Sequence, residues 1–310
     1  MFSALRFEVG CDWVGYLINF WSEEGRNYEF DLASQNPGYW KLIALLHDAG
    51  LSYQWLNIVT SAIFFLGLHA LARRQPNPLT FLVLTFPILI INMPMSAIKQ
   101  AAAIGFLCFA YVAFIDRRLV FYVGWILLGA AFHSSVLIFL LFIPFVRGEF
   151  NRRSLLLGLL LAAPGAYALL QTEGAEIAAS RYIDSGLDAA GAAFRLGILT
   201  LSGAFFLWAL APAWRRQFPA DYKLVWISSW MMVGFFALFF VSSVIGDRFG
   251  YYLIPIQAMV FARIPYLPLG DSRQFYAFVP YAALTLVFVV WTQISWIFDV
   301  CYTPYRFGFG

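Results

Sequence analysis

Arg6, Asp12, Lys99, His133, Arg181 and Arg248 are the residues of this chain best placed to do chemistry. Lys99 stands about one turn into an apolar run that opens Met95-Ser96-Ala97-Ile98. His133 heads the polar triplet His133-Ser134-Ser135 between two apolar stretches, and Arg248 follows Asp247 at the head of another. Charged groups at such positions are costly in an apolar chain and default to functional candidates. Cations facing a cavity suit a phosphorylated substrate, because a guanidinium binds phosphate oxygens in bidentate fashion. A carboxylate and an imidazole supply a possible general acid and base. Plainer readings stand beside these. Lys99 could snorkel to an interface, His133 could be a satisfied structural histidine, and Arg248 could pair with Asp247. Arg6 and Asp12 could form a surface pair, and Arg181-Tyr182 could be ordinary loop. No one of the six is specific; the set, all on one side, is what carries weight.

Composition says what must hold these groups. The chain has 310 residues, of which 62% are hydrophobic and only 12% charged, with mean hydropathy +0.74. A soluble domain carries about 25% charged residues, so lipid is the natural solvent for most of this surface. Trp and Tyr gather near segment ends, as interfacial anchors do. Cys11, Cys108 and Cys301 form neither a disulfide scaffold nor a metal-binding spacing. No basic n-region with an apolar h-region precedes Arg6. Nothing implies a metal, a cofactor or a nucleic-acid partner.

Apolar runs fall at 53–72, 79–93, 95–115, 119–132, 134–146, 154–170, 194–214, 223–245, 248–264 and 275–298. A spanning helix needs about 20 residues, so several are short or broken, and Pro87, Pro94, Pro144, Pro164 and Pro255 fit bent helices. The expectation is an all-α, polytopic membrane helix bundle of about ten segments in one domain, 1–310. Residues 1–50 form an outer-side segment whose stretch Tyr39 to Leu46 reads as an interfacial helix, and 171–193 form an outer loop. If 53–72 runs inward, alternation gathers 12 of the 20 Lys and Arg on the inner side with 4 of the 17 acids. The inner side is then +8, the outer side −5, and the consistency over five loops predicts the topology. The C-terminal tail after Asp299 then lies outside. Reading 119–146 as one helix would export eight of those basic residues, so two short helices joined at His133 are predicted. Each rises about 21 Å against a core about 30 Å thick. The joint therefore sits below the outer surface and implies a recessed cavity with His133 at its floor. Cys11 and Cys301 share this oxidising side. A disulfide between them is allowed, without geometric support from their separation.

The order of motifs resembles the EpsG-type, Wzy-like exopolysaccharide and O-antigen polymerases. Leu5-Arg6 through Gly10, Asp12 and Tyr16 resembles the family's LRxxxGxDxxxY opening; Lys99-Gln100-Ala101-Ala102 resembles RQxxA. Ala130-Ala131-Phe132-His133-Ser134-Ser135 resembles AxxFHxSA, Arg181-Tyr182 an outer-loop RY, and Arg248 through Tyr252 a later RxxxY. Lys99 departs from the usual Arg and loses bidentate contact; Ser135 stands where Ala is usual. The family's helix ahead of the LR motif would fall before this sequence.

The resemblance implies a GT-C-like outer cavity and a multi-pass protein of the bacterial inner membrane, active toward the periplasm. It implies transfer of a glycan from undecaprenyl pyrophosphate to a lipid-linked repeat unit, without a metal. Arg248, Arg6 and Lys99 would hold the leaving pyrophosphate, and Asp12 or His133 would deprotonate the acceptor hydroxyl, the choice staying open. Gln100, Arg181, Tyr182, Tyr16 and Tyr252 would complete the substrate contacts. Partners would be the lipid-linked oligosaccharide, membrane lipids and other polysaccharide-export proteins. An O-antigen ligase-type transferase, a flippase or transporter of lipid-linked sugars, and an export-complex scaffold are the rivals. A flippase needs polar groups reachable from both sides in turn, whereas these cluster on one.

Overall fold

The computed structural model describes residues 2–31, 34–148, 153, 156, 160 and 191–308. Among these there is no strand, and an isolated bridge between Arg6 and Phe307 is the only sheet-like pairing. On the outer side of the sequence-based topology come α1 (Trp13–Trp21) and α2 (Pro37–Asp48). The bundle follows as α3 (Tyr53–Ala72), α4 (Pro78–Ser96), α5 (Ile98–Ile115), α6 (Leu119–Ala130), α7 (Ser134–Arg147) and α8 (Ala192–Gln217). It continues through α9 (Tyr222–Phe239), α10 (Ser243–Arg263) and α11 (Arg273–Ile294), and ends in the short α12 (Trp296–Tyr302).

Among the described residues, six helices are long and apolar enough to cross a membrane: α3, α4, α5, α8, α9 and the helix ending at Ile294. With the shorter apolar α6 and α7 they make a multi-pass membrane protein, and the described residues account for part of the ten or so segments expected. The run 154–170 lies outside the described residues. The helix α10 is 21 residues long yet carries Asp247, Arg248 and Arg263, which lowers its hydropathy. Protein rather than lipid surrounds it: 17 of its residues are buried. By contrast, 11% of the apolar window of α11 is buried, so that helix turns most of its surface outward.

The other deeply buried helix is α5, with 13 of 18 residues buried. Its small residues let a neighbour's backbone come close, as membrane interfaces favour. A Cβ at Gly67 of α3 would stand 1.9 Å from the Gly105 carbonyl oxygen, and one at Gly105 would stand 2.4 Å from that of Ile63. Only two glycines permit this crossing.

The sequence-based break at His133 is present, but its second half is not the α-helix expected. Ser134–Phe142 winds as a 3₁₀ helix and only Ile143–Arg147 returns to α. At about 2.0 Å per residue, the 3₁₀ stretch gains roughly 4 to 5 Å of reach over an α-helix of equal length. In α4, residues Phe86–Ile90 form a π turn, and Pro87 and Pro94 withhold two main-chain donors from the same helix.

The basic loops assigned to one side do meet at one end of the bundle. Arg74 pairs with Asp116 at 2.7 Å, Arg147 donates to the Arg117 carbonyl, and Lys223 donates to the Gly148 carbonyl. Arg263 is buried there, pairing with Asp221 and donating to Gln75. Trp214 Nε1 donates to the second Asp221 oxygen at 2.9 Å, so neither charge is left uncompensated.

At the opposite end the chain termini are bound together. Cys11 and Cys301 form a disulfide across 290 residues, with Cα atoms 4.7 Å apart. Glu8 pairs with Arg306, Tyr305 donates to the Phe2 carbonyl, and Gly10 N–H donates to the Cys301 carbonyl. A stretch whose own core is a small cluster around Val9, Met95 and Tyr302 is thus fixed further by a cross-link and main-chain pairing. Alkylation of the denatured, unreduced protein should label Cys108 alone, and reduction should expose all three thiols. Cys301→Ser should lower stability by about 2–4 kcal/mol; labelling of all three before reduction would disprove the pairing.

Candidate functional site

Two turns of the most buried helices supply the site's cations. Lys99 and Gln100 lie in the first turn of α5, and Arg248 through Tyr252 in the first half of α10. Gln100, itself 3% exposed, donates through Nε2 to the Arg248 carbonyl at 2.6 Å, so it joins α5 to α10 rather than presenting its amide to a ligand. Asp247 does not pair with its neighbour. Successive residues on a helix point about 100° apart. Asp247 instead takes both oxygens to Arg195 of α8, at 2.8 and 2.7 Å. Arg248 faces another way and lies within electrostatic reach of Asp12, Tyr16, His133 and Tyr252.

Asp12 stands at the N-cap position of α1 without a side-chain capping bond, and keeps an open face to solvent. Crowding by the surrounding protein raises its carboxyl above the ordinary carboxylate value, and Arg248, then Lys99, oppose that rise. Lys99 is held by aromatic faces: Nζ is 4.1 Å from the Tyr39 ring centre, 5.4 Å from Trp40 and 6.0 Å from Tyr16. Cations bind ring faces through the quadrupole, so the ammonium is oriented without being neutralised by an acid in contact. The Tyr16 hydroxyl also meets the Lys99 main chain.

His133 is half-buried at the α6–α7 joint. Its Nδ1 lies 2.6 Å from Ser135 Oγ and 3.1 Å from the Tyr252 hydroxyl, and those two hydroxyls are 2.9 Å apart. Nδ1 is therefore the engaged nitrogen, and Nε2 makes no hydrogen bond among the described residues. Lys99 and Arg248 both act on this ring. The joint is also tied to α2: the Gly38 and Tyr39 N–H groups donate to the Ala131 carbonyl at 2.8 and 3.3 Å. A Cβ at Gly38 would lie 2.8 Å from that of Ala131, so glycine is what lets α2 dock there.

The structure thus brings together Asp12, Tyr16, Lys99, His133, Arg248 and Tyr252, contributed by α1, α5, the α6–α7 joint and α10. It does not bring Arg6 into their open face. Arg6 is 0% exposed; Nε donates to the Val9 carbonyl at 2.9 Å and Nη1 to the Ser3 carbonyl at 2.6 Å. Its Nη2 is buried without a hydrogen-bond partner, and burial lowers the guanidinium from its usual range. Arg181 and Tyr182 lie outside the described residues. Among the described residues, no group of three His, Cys, Asp or Glu is placed to hold a metal. A cavity of about 460 Å³ lies apart from the charges, against α3, α4 and α11, with Phe65, Phe86, Pro87, Tyr281 and Phe288 in its wall.

Sequence reasoning passed over Ser135, Arg195, Tyr39 and Trp40. Ser135 was visible only as a departure from Ala, yet its hydroxyl joins His133 to Tyr252. Adjacent helical residues do not face each other, which argues for a partner of Asp247 other than Arg248 but does not single out Arg195, 52 residues earlier.

The sequence model of the EpsG family matches residues 1–307. The chain belongs to the EpsG family. No curated protein and no solved structure matches it. For this EpsG family member, membership implies an exopolysaccharide-related, polymerase-type function. The match covers α1 through α12, so the converged residues and the tail that braces them both fall within it.

Tyr252→Phe removes one hydroxyl from the His133–Ser135–Tyr252 set. A net hydrogen bond is worth about 0.5–1.5 kcal/mol, so polymer synthesis should fall roughly 3- to 10-fold at normal membrane abundance. Unchanged synthesis would show that this set does not orient His133 for function.

Proposed function

We propose that this chain polymerises a polysaccharide by transferring a glycan from undecaprenyl pyrophosphate to the sugar of a lipid-linked repeat unit. The converged end of the bundle faces the periplasm from the bacterial inner membrane, in a GT-C-like outer cavity. The observation that carries the reading is the meeting of two cations from two buried helices with a carboxylate and an imidazole. The positive-inside arrangement of the opposite end supports the orientation.

In this reaction the acceptor hydroxyl oxygen attacks the anomeric carbon of the donor sugar. The bond from that carbon to the pyrophosphate oxygen breaks, and undecaprenyl pyrophosphate leaves with the electron pair. Arg248 and Lys99 stabilise the developing charge, an electrostatic role that does not require a metal. Asp12 takes the acceptor proton: its raised pKa brings it nearer the working pH, where a general base is most effective. His133, with Nδ1 engaged by hydroxyls, directs Nε2 toward the substrate and orients it by hydrogen bonding. Gln100 fixes the α10 backbone at Arg248. Arg6 braces the segment that carries Asp12.

Arg248→Ala should reduce polymer on the order of 100-fold, the loss of about 3 kcal/mol of transition-state stabilisation, at normal abundance. Lys99→Arg should be tolerated and Lys99→Ala should not. Arg6→Ala should act differently and lower membrane abundance. His133→Gln, which keeps a hydrogen bond but takes no proton, should retain much activity; its complete loss would move the base role from Asp12 to His133. With Asp12 as base, activity falls as pH drops through its raised pKa and the carboxylate is protonated. The acidic limb should lie above the ordinary carboxylate range, and Asp12→Asn should be inactive throughout. In cells lacking the protein, single lipid-linked repeat units should accumulate on the outer leaflet. Their accumulation on the inner leaflet would indicate a flippase instead, and intact polymer left unattached to its final acceptor a ligase.

A further inference from the structure

A sugar joined to pyrophosphate presents two unlike surfaces side by side, an anion and the apolar C–H face of a ring. Lys99 and Trp40 present the complementary pair. The ammonium is 5.4 Å from the centre of the Trp40 ring, and Lys99 lies in the field of the acids Glu24 and Asp12, with Arg248 also acting on Asp12. Trp40 is half-buried, with the Lys99 ammonium over its ring. Its ring is set by neighbours: Tyr39 packs edge-on at 5.5 Å, and Tyr28 lies 6.4 Å away, tilted by 30°.

The helix that carries Trp40 is also held in register with the rest of the site. Main-chain N–H groups of Gly38 and Tyr39 grip the Ala131 carbonyl, two residues before His133. One short stretch, Gly38-Tyr39-Trp40, therefore spaces an aromatic face from both Lys99 and the imidazole. A rigid aromatic surface at a fixed distance from a cation and a polar ring suits a ring-shaped ligand carrying an adjacent negative charge.

We propose that Trp40 is the platform of a sugar subsite, on which the pyranose attached directly to the pyrophosphate lays its C–H face while Lys99 and Arg248 take the phosphate oxygens. This rests on the lipid-pyrophosphate reading above. Trp40 is a binding and specificity residue in this arrangement and transfers no proton.

The test uses purified full-length protein in lipid nanodiscs and two probes. One is undecaprenyl pyrophosphate without sugar; the other is the lipid-linked repeat unit extracted from cells lacking this protein. Trp40→Ala should weaken binding of the sugar-bearing probe about tenfold, the equivalent of losing one good aromatic contact, and leave the sugar-free probe nearly unchanged. Trp40→Phe, which keeps a ring face, should restore most of the loss. Retained binding of the sugar-free probe shows that each variant is folded. Equal weakening of both probes would mean that Trp40 only seats Lys99, and would overturn the subsite; so would unchanged binding of both. Wild-type protein that binds neither probe would overturn the lipid-pyrophosphate reading itself.

Discussion

A charge placed at membrane depth must be enclosed by protein, and the arrangement of this bundle follows from that requirement. Lys99 and Arg248 sit on α5 and α10, the two helices with the least access to lipid. To bury α5, α3 must approach within backbone contact, which the facing glycines at 67 and 105 allow. To bury α10, the bundle surrounds it with α4, α8 and α9, and Asp247 is matched by Arg195 from α8. Peripheral helices such as α11 can then be simple apolar cylinders. The distribution of buried polar contacts is therefore not uniform. They concentrate along α10, at Asp247 and Arg248 near one end and at Arg263 near the other.

These two polar ends behave differently. At the Arg263 end, guanidinium, carboxylate, indole N–H and carboxamide complete one another. That arrangement is a lock, with its hydrogen-bonding capacity turned inward. At the Arg248 end, Asp12 keeps an open face, Lys99 is surrounded by ring faces, and His133 engages hydroxyls through Nδ1 alone. A second set of contacts braces this open end: Tyr251 accepts from Asn92, Tyr302 donates to Asn92 and meets Ser96, and the Cys11 N–H donates to Ser96. The chain runs from α10 through α4 to the disulfide without leaving hydrogen-bond distance.

Much of this was legible in the residues because membrane insertion imposes strong local rules. The run 53–72 became a helix with those same ends, and the polar triplet at His133 did interrupt its hairpin. The basic loops gathered at one end, as a charge asymmetry over five loops required. What stayed hidden depends on depth or on distant partners. Apolar residues read the same in 3₁₀ and α winding, so Ser134–Phe142 gave no sign of its reach. The depth of Arg6 is set by α3 and the tail, neither of which its own motif reveals. The hydropathy of α10 suffers from charges that only tertiary burial excuses. Lys99 was recognised as a cation facing the site, but its aromatic enclosure comes from residues 59 and 60 positions earlier, beyond any local pattern.

The disulfide has a consequence in time as well as in space. Cys11 adjoins Asp12, and its partner Cys301 is synthesised 290 residues later. Until α11 has inserted and the tail behind it has emerged, the segment carrying Asp12 lacks its cross-link, its pairing with Phe307 and its ion pair to Arg306. A nascent chain of this protein therefore carries its cations before it carries a fixed carboxylate. The centre is complete only once Cys301 has been made and oxidised, and a chain that stalls short of it leaves the ribosome with an unfinished centre.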